Sequence, residues 1–282
     1  QGFDISVTAK VLALKDFSWE ISAGLGHYKN EVTALPDGDK PVYTSLYGGE
    51  VVTQVGGPVG LFYGYKTQGV FSTSEDAAFA GLRDGRADGD VFRGGDMHFA
   101  DLVADGVIDE KDKTVIGDPN PDIFGNFGTS LHYKNWTLNA FFSYSLGNDI
   151  YNYQRAVLEG GSTYYNQTTA VLNRWTSEGQ VTEIPRAELG DPMGNSRFSD
   201  RWIEDGSYLK LKTLSLSYRI PFNYTFLQGI TVWAAANNVF TCTKYLGSDP
   251  ELSISSSAVG QGIDRGLLGR GRSFVLGVKI NL

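Results

Sequence analysis

The stretch from Asp118 to Tyr151 constrains the fold of this chain more than any other. After a proline-punctuated entry (GDPNPD), Phe127, Thr129, Leu131 and Tyr133 fall on one parity, and Asn126, Gly128, Ser130 and His132 on the other. A two-residue Lys134-Asn135 turn follows. The return run puts Trp136, Leu138, Ala140, Phe142, Tyr144 and Leu146 on one side and Thr137, Asn139, Ser143 and Ser145 on the other, with Phe141 as the exception. Successive side chains of a strand point to opposite faces, so a contrast of period two marks a strand with two different surroundings. Two strands of about ten residues, tightly joined and carrying aromatics beside the turn, fit a membrane-crossing hairpin of an outer-membrane barrel. A soluble sandwich also contains such hairpins, so the rest of the chain has to decide.

The alternation recurs. Phe3, Ile5, Val7, Ala9, Val11 and Ala13 share one face, and after a Lys15-Asp16 turn Phe17, Trp19, Ile21, Ala23 and Leu25 resume it. Both tight turns are followed at once by an aromatic, as an interfacial girdle of amphipathic rings requires. A further strand runs from about Tyr208 to Ile220. Its lower half is regular, but Leu209 and Leu211 are out of phase with Leu214 and Leu216, which predicts either a bulge or a rise above the bilayer there. Pro221 to Gly229 reads as a turn carrying Phe222, Tyr224 and Phe226, Ile230 to Asn237 as a strand of weak contrast, and Phe274 to Leu282 as a clear final strand. Residues 30–122, 148–201 and 238–271 lack sustained alternation, apart from a short helix expected around Ser74 to Leu82. The expectation is an all-β fold of seven antiparallel strands, with three short turns and three long loops in alternation. Seven strands are too few to enclose a polar lumen, so the chain reads as part of a larger barrel.

Composition removes several alternatives. A net charge of −8 argues against a nucleic-acid partner, which needs clustered Lys and Arg to neutralise phosphates. The single cysteine, Cys242, rules out an internal disulfide and a Cys-based zinc site. No apolar run reaches the length of a transmembrane helix, a criterion that does not touch barrels. Gln1-Gly2-Phe3 opens directly on an alternating strand with no signal peptide, so a piece of a longer precursor is expected.

The segments GDPNPDIFGNFGTSLHYKNWTL, GNDIYN, SDRWIEDGSYLKLKTLSLSY, NNVFTCTKYLGSDPE and RGRSFVLGVKINL, with GPVGLFYGYKTQGVFSTSEDA and FADLVADGVIDEKDKTVIGD before them, resemble the C-terminal half-barrel of the SusC/RagA family, in order and over essentially the whole chain. The resemblance implies a TonB-dependent transporter in the outer membrane of a Gram-negative (Bacteroidota) bacterium, built as a 22-stranded transmembrane β-barrel with an N-terminal plug. Residues 1–282 would then be the C-terminal segment of the barrel, without plug, and 30–122 a long extracellular loop region. The implied partners are a SusD-like surface lipoprotein, the remaining barrel and plug, TonB-ExbB-ExbD through the N-terminal part, outer-membrane lipid, and a glycan or peptide substrate. Such barrels usually end in an aromatic; here the last residue is Leu282.

Two sets of site residues stand out. Asp101, Asp105, Asp109 and Asp112 fall at positions 1, 5, 9 and 12 of an EF-hand-like loop, with Gly106 at position 6, so Ca²⁺ is a candidate ligand and no other cofactor is required. Val103 at position 3 and the short Asp112 at position 12 weaken that cage. Phe62, Tyr63, Tyr65, Tyr164, Tyr165 and Trp175 are candidate substrate contacts, because sugar rings and peptides both pack on aromatic faces. Catalysis finds no support: His27, His98 and His132 accompany no nucleophile or phosphate-binding motif. A soluble, secreted carbohydrate-binding β-protein is the alternative, followed by a β-rich glycoside hydrolase.

Overall fold

A computed structural model of the protein describes residues 1–86, 90–221 and 229–281. Seven long strands form one sheet: β1 (Gly2–Ala13), β2 (Phe17–Tyr28), β3 (Ile123–Tyr133), β4 (Trp136–Leu146), β5 (Tyr208–Ile220), β6 (Gly229–Thr243) and β7 (Ser273–Asn281). Each pairs antiparallel with the next in chain order, so the sheet is a meander with β1 and β7 at its two edges. The seven expected strands are all present. The turn expected to carry Phe222, Tyr224 and Phe226, and the final Leu282, lie outside the described residues.

The register decides what each face is made of, because directly opposed residues share a face. One row runs Val7, Ala23, Phe127, Phe142, Leu211, Phe240 across six strands. The next runs Ala9, Ile21, Thr129, Ala140, Leu214, Ala236, Phe274, and the one after Trp19, Leu131, Leu138, Leu216, Ala234, Leu276. Thr129 is the polar interruption of these rows, and its Oγ1 accepts a hydrogen bond from Trp19 Nε1 at 2.8 Å. Phe17, Tyr133, Trp136 and Tyr218 then make a row of aromatics beside the short turns, with Trp136 and Tyr218 rings 4.6 Å apart. The opposite face carries Thr8, Ser22, Gly128, Phe141, Thr213, Asn237 and Ser273 in one row and Lys10, Glu20, Ser130, Asn139 and Ser215 in the next. Trp233 also lies on this polar side, its ring covering Gly277 so closely that no Cβ would fit.

The apolar face is bare. Leu276 is 85% exposed and Phe274 81%, and neither hydrophobic core of the molecule contains a residue of the seven-stranded sheet. A continuous apolar surface of this kind is not tolerated on a monomer in water and calls for an apolar surrounding. Between Leu209 and Ile220, β5 rises about 37 Å, which a tilt of 35–45° reduces to roughly the 25–30 Å of a bilayer's hydrocarbon core.

Two bulges adjust the phase. In β1 the pairing skips Val11, so Leu12, not Val11 or Ala13, joins Trp19 on the apolar face. This corrects the uninterrupted alternation expected for β1. In β5 the pairing skips Lys212, which returns Leu209 and Leu211 to the face of Leu214, as the phase slip requires. A second correction concerns β6, which continues through Asn237 to Thr243 because the upper half of β5 offers Tyr208 to Leu211 as partners.

The three long excursions, residues 29–122, 147–207 and 244–272, fold together at the end of the sheet away from the short turns, and both hydrophobic cores sit there. The first excursion is not featureless: it supplies Val42–Leu46, Gly49–Thr53, Leu61–Gly64 and Thr114–Gly117 to a four-stranded sheet. Its helix spans Ser74–Ala80, capped by the Thr73 hydroxyl at one end and left-handed Gly81 at the other. Strands Asp149–Asn152 and Ile203–Asp205 of the second excursion share a small sheet with Ile263–Asp264 of the third. Tyr65, Phe71, Phe92, Met97 and Phe99 of the first excursion form a core with Met193 of the second, and Val51, Phe62, Tyr151, Trp202 and Ile263 draw on all three.

A charged tie fixes the third excursion to the polar face. Buried Lys210 Nζ donates to Asp249 Oδ2 and Glu251 Oε2, both at 2.7 Å, and Tyr208 and Lys212 also reach Glu251. Burial pushes the Glu251 carboxyl up, but hydrogen bonds and charge from Lys210 and Lys212 outweigh it and hold it below the ordinary carboxylate range. A carboxyl depressed in the folded state stabilises that state at neutral pH, and the contribution is lost as pH falls through the depressed value. The expected result is that Glu251→Gln exposes residues 244–272 to protease at neutral pH, whereas the unmodified protein becomes susceptible there only in acid. Equal resistance of the two at neutral pH would count against the tie.

Candidate functional site

The hairpin of Val42–Leu46 and Gly49–Thr53 turns through Tyr47 and Gly48, both with positive φ, 52° and 72°. Two such residues in a row make the mirror-image hairpin turn that follows strand twist, and its first position favours Asn, Asp or Gly. A tyrosine held there is a strained choice that presents its ring at the tip, and strain of this kind gathers at working sites. Two adjoining cavities flank this tip, meeting at Gly48 and Phe198.

The first cavity, about 330 Å³, is charged: Glu50, Glu110, Lys113, Arg86 and Arg197 line it together with Tyr63 and Tyr65. Lys113 Nζ donates to Glu50 Oε2 at 3.0 Å and also pairs with Glu110. Burial lowers the Lys113 ammonium, but Glu110 and Glu50 outweigh this and move it up, so it stays charged. Arg86 and Arg197 both reach buried Asp84, at 2.9 and 3.0 Å. Two acids and three bases thus line the cavity, and buried Asp84 behind it completes the balance. The second cavity, about 290 Å³, is aromatic, lined by Tyr47, Tyr151, Tyr153, Tyr165, Phe198 and Trp202. Tyr47 and Tyr153 rings lie 5.5 Å apart, and Tyr151 is set edge-on to Phe198 at 4.7 Å. The Tyr151 hydroxyl donates to the Tyr47 carbonyl at 3.0 Å, and burial pushes its own ionisation up. A charged hollow beside a shelf of rings can take polar, ring-bearing or zwitterionic guests.

Of the six aromatics singled out from sequence, Tyr63, Tyr65 and Tyr165 come together around these cavities. Phe62 is corrected: it is fully buried, edge-on to Tyr151, because alternation along Leu61–Gly64 turns it into the core. Tyr65 borders the first cavity, yet only 4% of it is exposed, stacked under Arg197 and against Phe99. Trp175, half-buried and apart from these cavities, clamps two segments, its Nε1 donating to the Ser72 carbonyl at 3.0 Å and its ring covering Gly95. Tyr164 projects freely, at 89% exposure. Tyr47, Tyr153, Phe198, Glu50 and Lys113 escaped the sequence reading; the Tyr-Gly-Gly turn was the one local signal for them.

The aspartate loop does not converge. Asp101 accepts from the Ala104 and Gly106 amides, Asp105 from Val107, Asp109 from Lys111, and fully buried Asp112 from Leu102, Val103 and Asp109. Lys111 Nζ stands beside Asp105 and Asp109, at 3.7 and 3.3 Å. Among the described residues no group of three or more acidic, His or Cys side chains is arranged to hold a metal. In this structure the four carboxylates expected as a calcium cage cap their own backbone, with the Lys111 ammonium beside Asp105 and Asp109.

No protein-family model matches the chain. It is 32% identical to TonB-dependent receptor P3 of Formosa agariphila over 99% of its own length and 28% of that protein's. To TonB-dependent receptor SusC of Bacteroides thetaiotaomicron it is 26% identical, over 99% of its length and 26% of SusC. The chain therefore spans less than a third of the curated relatives it matches. Its backbone superposes on the RagAB peptide transporter with a TM-score of 0.79 at 24% identity, over 99% of this chain and 29% of that one. The chain is a homologue, over nearly its full length, of TonB-dependent receptors of the SusC/RagA kind, and its fold is a fragment of their β-barrel.

Proposed function

We propose that this chain supplies part of the wall and the outer loop body of a TonB-dependent importer in the outer membrane of a Gram-negative bacterium. On this reading the rows from Val7 to Leu276 face lipid, the polar rows face the lumen, and the paired cavities around Tyr47 contact cargo entering from outside. The observation that carries it is the exposed apolar face: it is continuous over seven strands, with Leu211 its one buried member, while among the described residues both hydrophobic core clusters lie in the excursions. The soluble carbohydrate-binding alternative would leave that face in water.

A SusD-like surface lipoprotein is the proposed partner, closing on the loop body, and the cargo is a glycan or peptide fragment. The similarity to a SusC receptor supports uptake through a TonB-dependent barrel, and the RagAB peptide importer among the structural neighbours supports a peptide as one cargo class. The role is transport, with no chemical step. The test is fractionation of the intact parent protein, combined with uptake of labelled oligosaccharides and peptides by cells with and without TonB. The parent is expected in the outer membrane, with gel mobility that changes on boiling and uptake that requires TonB. Recovery among soluble proteins, with mobility indifferent to boiling, would overturn the proposal.

A further inference from the structure

A third cavity, about 400 Å³, opens where the three excursions meet, lined by Thr67 and Met97 from the first, Arg155, Glu159 and Arg201 from the second, and Leu246 from the third. Its two guanidiniums are in different circumstances. Arg155 is fully matched: Nε donates to Glu159 at 3.0 Å and Nη1 to Glu204 at 2.7 Å. Those carboxylates are also engaged elsewhere, Glu159 by the Thr168 hydroxyl and Glu204 by Asn152 and the Leu246 amide.

Arg201 has no such match. Its guanidinium lies over the Trp202 ring, 4.2 Å from the centroid, and no carboxylate among the described residues comes within 4.0 Å of it. Nη2 makes one long bond, 3.4 Å to the Glu159 carbonyl, and Nη1 is buried without an acceptor. Neighbouring Asp200 is turned away, taking the amide and hydroxyl of Thr67 at 3.0 and 2.7 Å. Glu183 lines the cavity but does not pair with it. Burial, and then the like charge of Arg155, push Arg201 down to about 10 against the more distant pull of Glu159, Asp191 and Glu183, which leaves it a cation at neutral pH. A half-buried guanidinium beside a second one is costly unless an anion meets it, and its planar fork of donors is shaped for the two oxygens of a carboxylate.

We propose that the cavity at Arg201 binds a carboxylate group of the cargo. The proposal rests on the importer reading only for the origin of that group, a uronic acid of a glycan or an acidic residue of a peptide. The Arg201 fork takes the two oxygens and Trp202 fixes its plane; Met97, Ile184 and Leu246 supply the apolar part of the lining, and the Glu159 carboxylate is already held by Arg155.

The test uses the full-length transporter in detergent and calorimetric titration with two matched pairs: tetragalacturonate against its methyl ester, and Ala-Ala-Glu-Ala against Ala-Ala-Gln-Ala with its terminus amidated in both. The acid of one pair is expected to bind about tenfold more tightly than its neutral counterpart, the scale of one charge-assisted hydrogen-bond pair, and the pair showing the gap identifies the source. Arg201→Gln is expected to abolish the gap, and Arg201→Lys, which keeps the charge but loses the fork, to narrow it. Absence of a gap in both pairs, or a gap that survives Arg201→Gln, would overturn the proposal. Mobility before and after boiling, recorded on the same samples, reports the barrel reading separately: a parent that shifts on boiling yet shows no gap loses the carboxylate site alone.

Discussion

Leu214→Arg is expected to lower the stability of the lipid-reconstituted parent barrel by roughly 2–4 kcal/mol, the cost of placing a cation near the bilayer midplane. Leu214 lies two rows from the aromatic row of Trp136 and Tyr218, between the small Ala140 and Ala236 of the neighbouring strands. Nothing nearby offers a counter-charge, and the side chain is too deep for its charged head to escape easily to the interface. The matched control is Ser215→Arg. Ser215 is one residue further on, across the sheet, beside Asn139 in the row of Lys10 and Glu20, where an added arginine stays hydrated and changes stability by no more than about 0.5 kcal/mol. Urea unfolding in lipid vesicles, followed by the boiling-sensitive gel shift, measures both. Equal sensitivity at the two positions would mean that lipid does not touch the face assigned to it.

Trp202→Ala should be felt elsewhere. The side chain is fully buried, its Nε1 lies within hydrogen-bonding reach of the Ser196 and Arg197 carbonyls, and Arg155 and Arg201 both pack on its ring. Removing a buried tryptophan costs about 3–5 kcal/mol, comparable with the stability of a small folded unit. Because the ring belongs to the core of the excursions and touches no residue of the seven-stranded sheet's apolar face, the gel shift of the barrel should persist while trypsin opens residues 147–207. A variant that loses the gel shift, or gains no cleavage, would show that wall and loop body are not stabilised separately.

The wall was legible because two solvents act on it. A strand with lipid on one side and water on the other must alternate, and Phe127 to Tyr133 or Phe274 to Ile280 do so in plain sequence. Bulges are different in kind. Val11 looks like the next member of the series Phe3 to Ala9, and only pairing with β2 shows that the ladder skips it. The end of β6 was misplaced because Asn237-Asn238 reads as a loop, although Phe240 and Cys242 keep the parity beyond it. The site was less legible still. Phe62 and Tyr65 stand four and seven residues past Pro58 of a glycine-proline turn and look like loop aromatics, but core residues from three excursions enclose Phe62 and from two enclose Tyr65. For the aspartate loop the spacing of acids was informative about the shape of the turn, since each carboxylate caps a nearby amide. Lys111, in the middle of the motif, carries the charge that a calcium ion would have supplied.

The meander has a consequence for how such a protein can change. β2 hands over to β3 directly, Gly26 opposite Phe124, although residues 29–122 intervene. An excursion can thus lengthen, shorten or alter its sequence without moving a single rung of the ladder beneath it, because the rungs on either side are already joined to each other. An excursion reshaped for a different guest would leave the hydrogen bonds that hold the wall together as they stand.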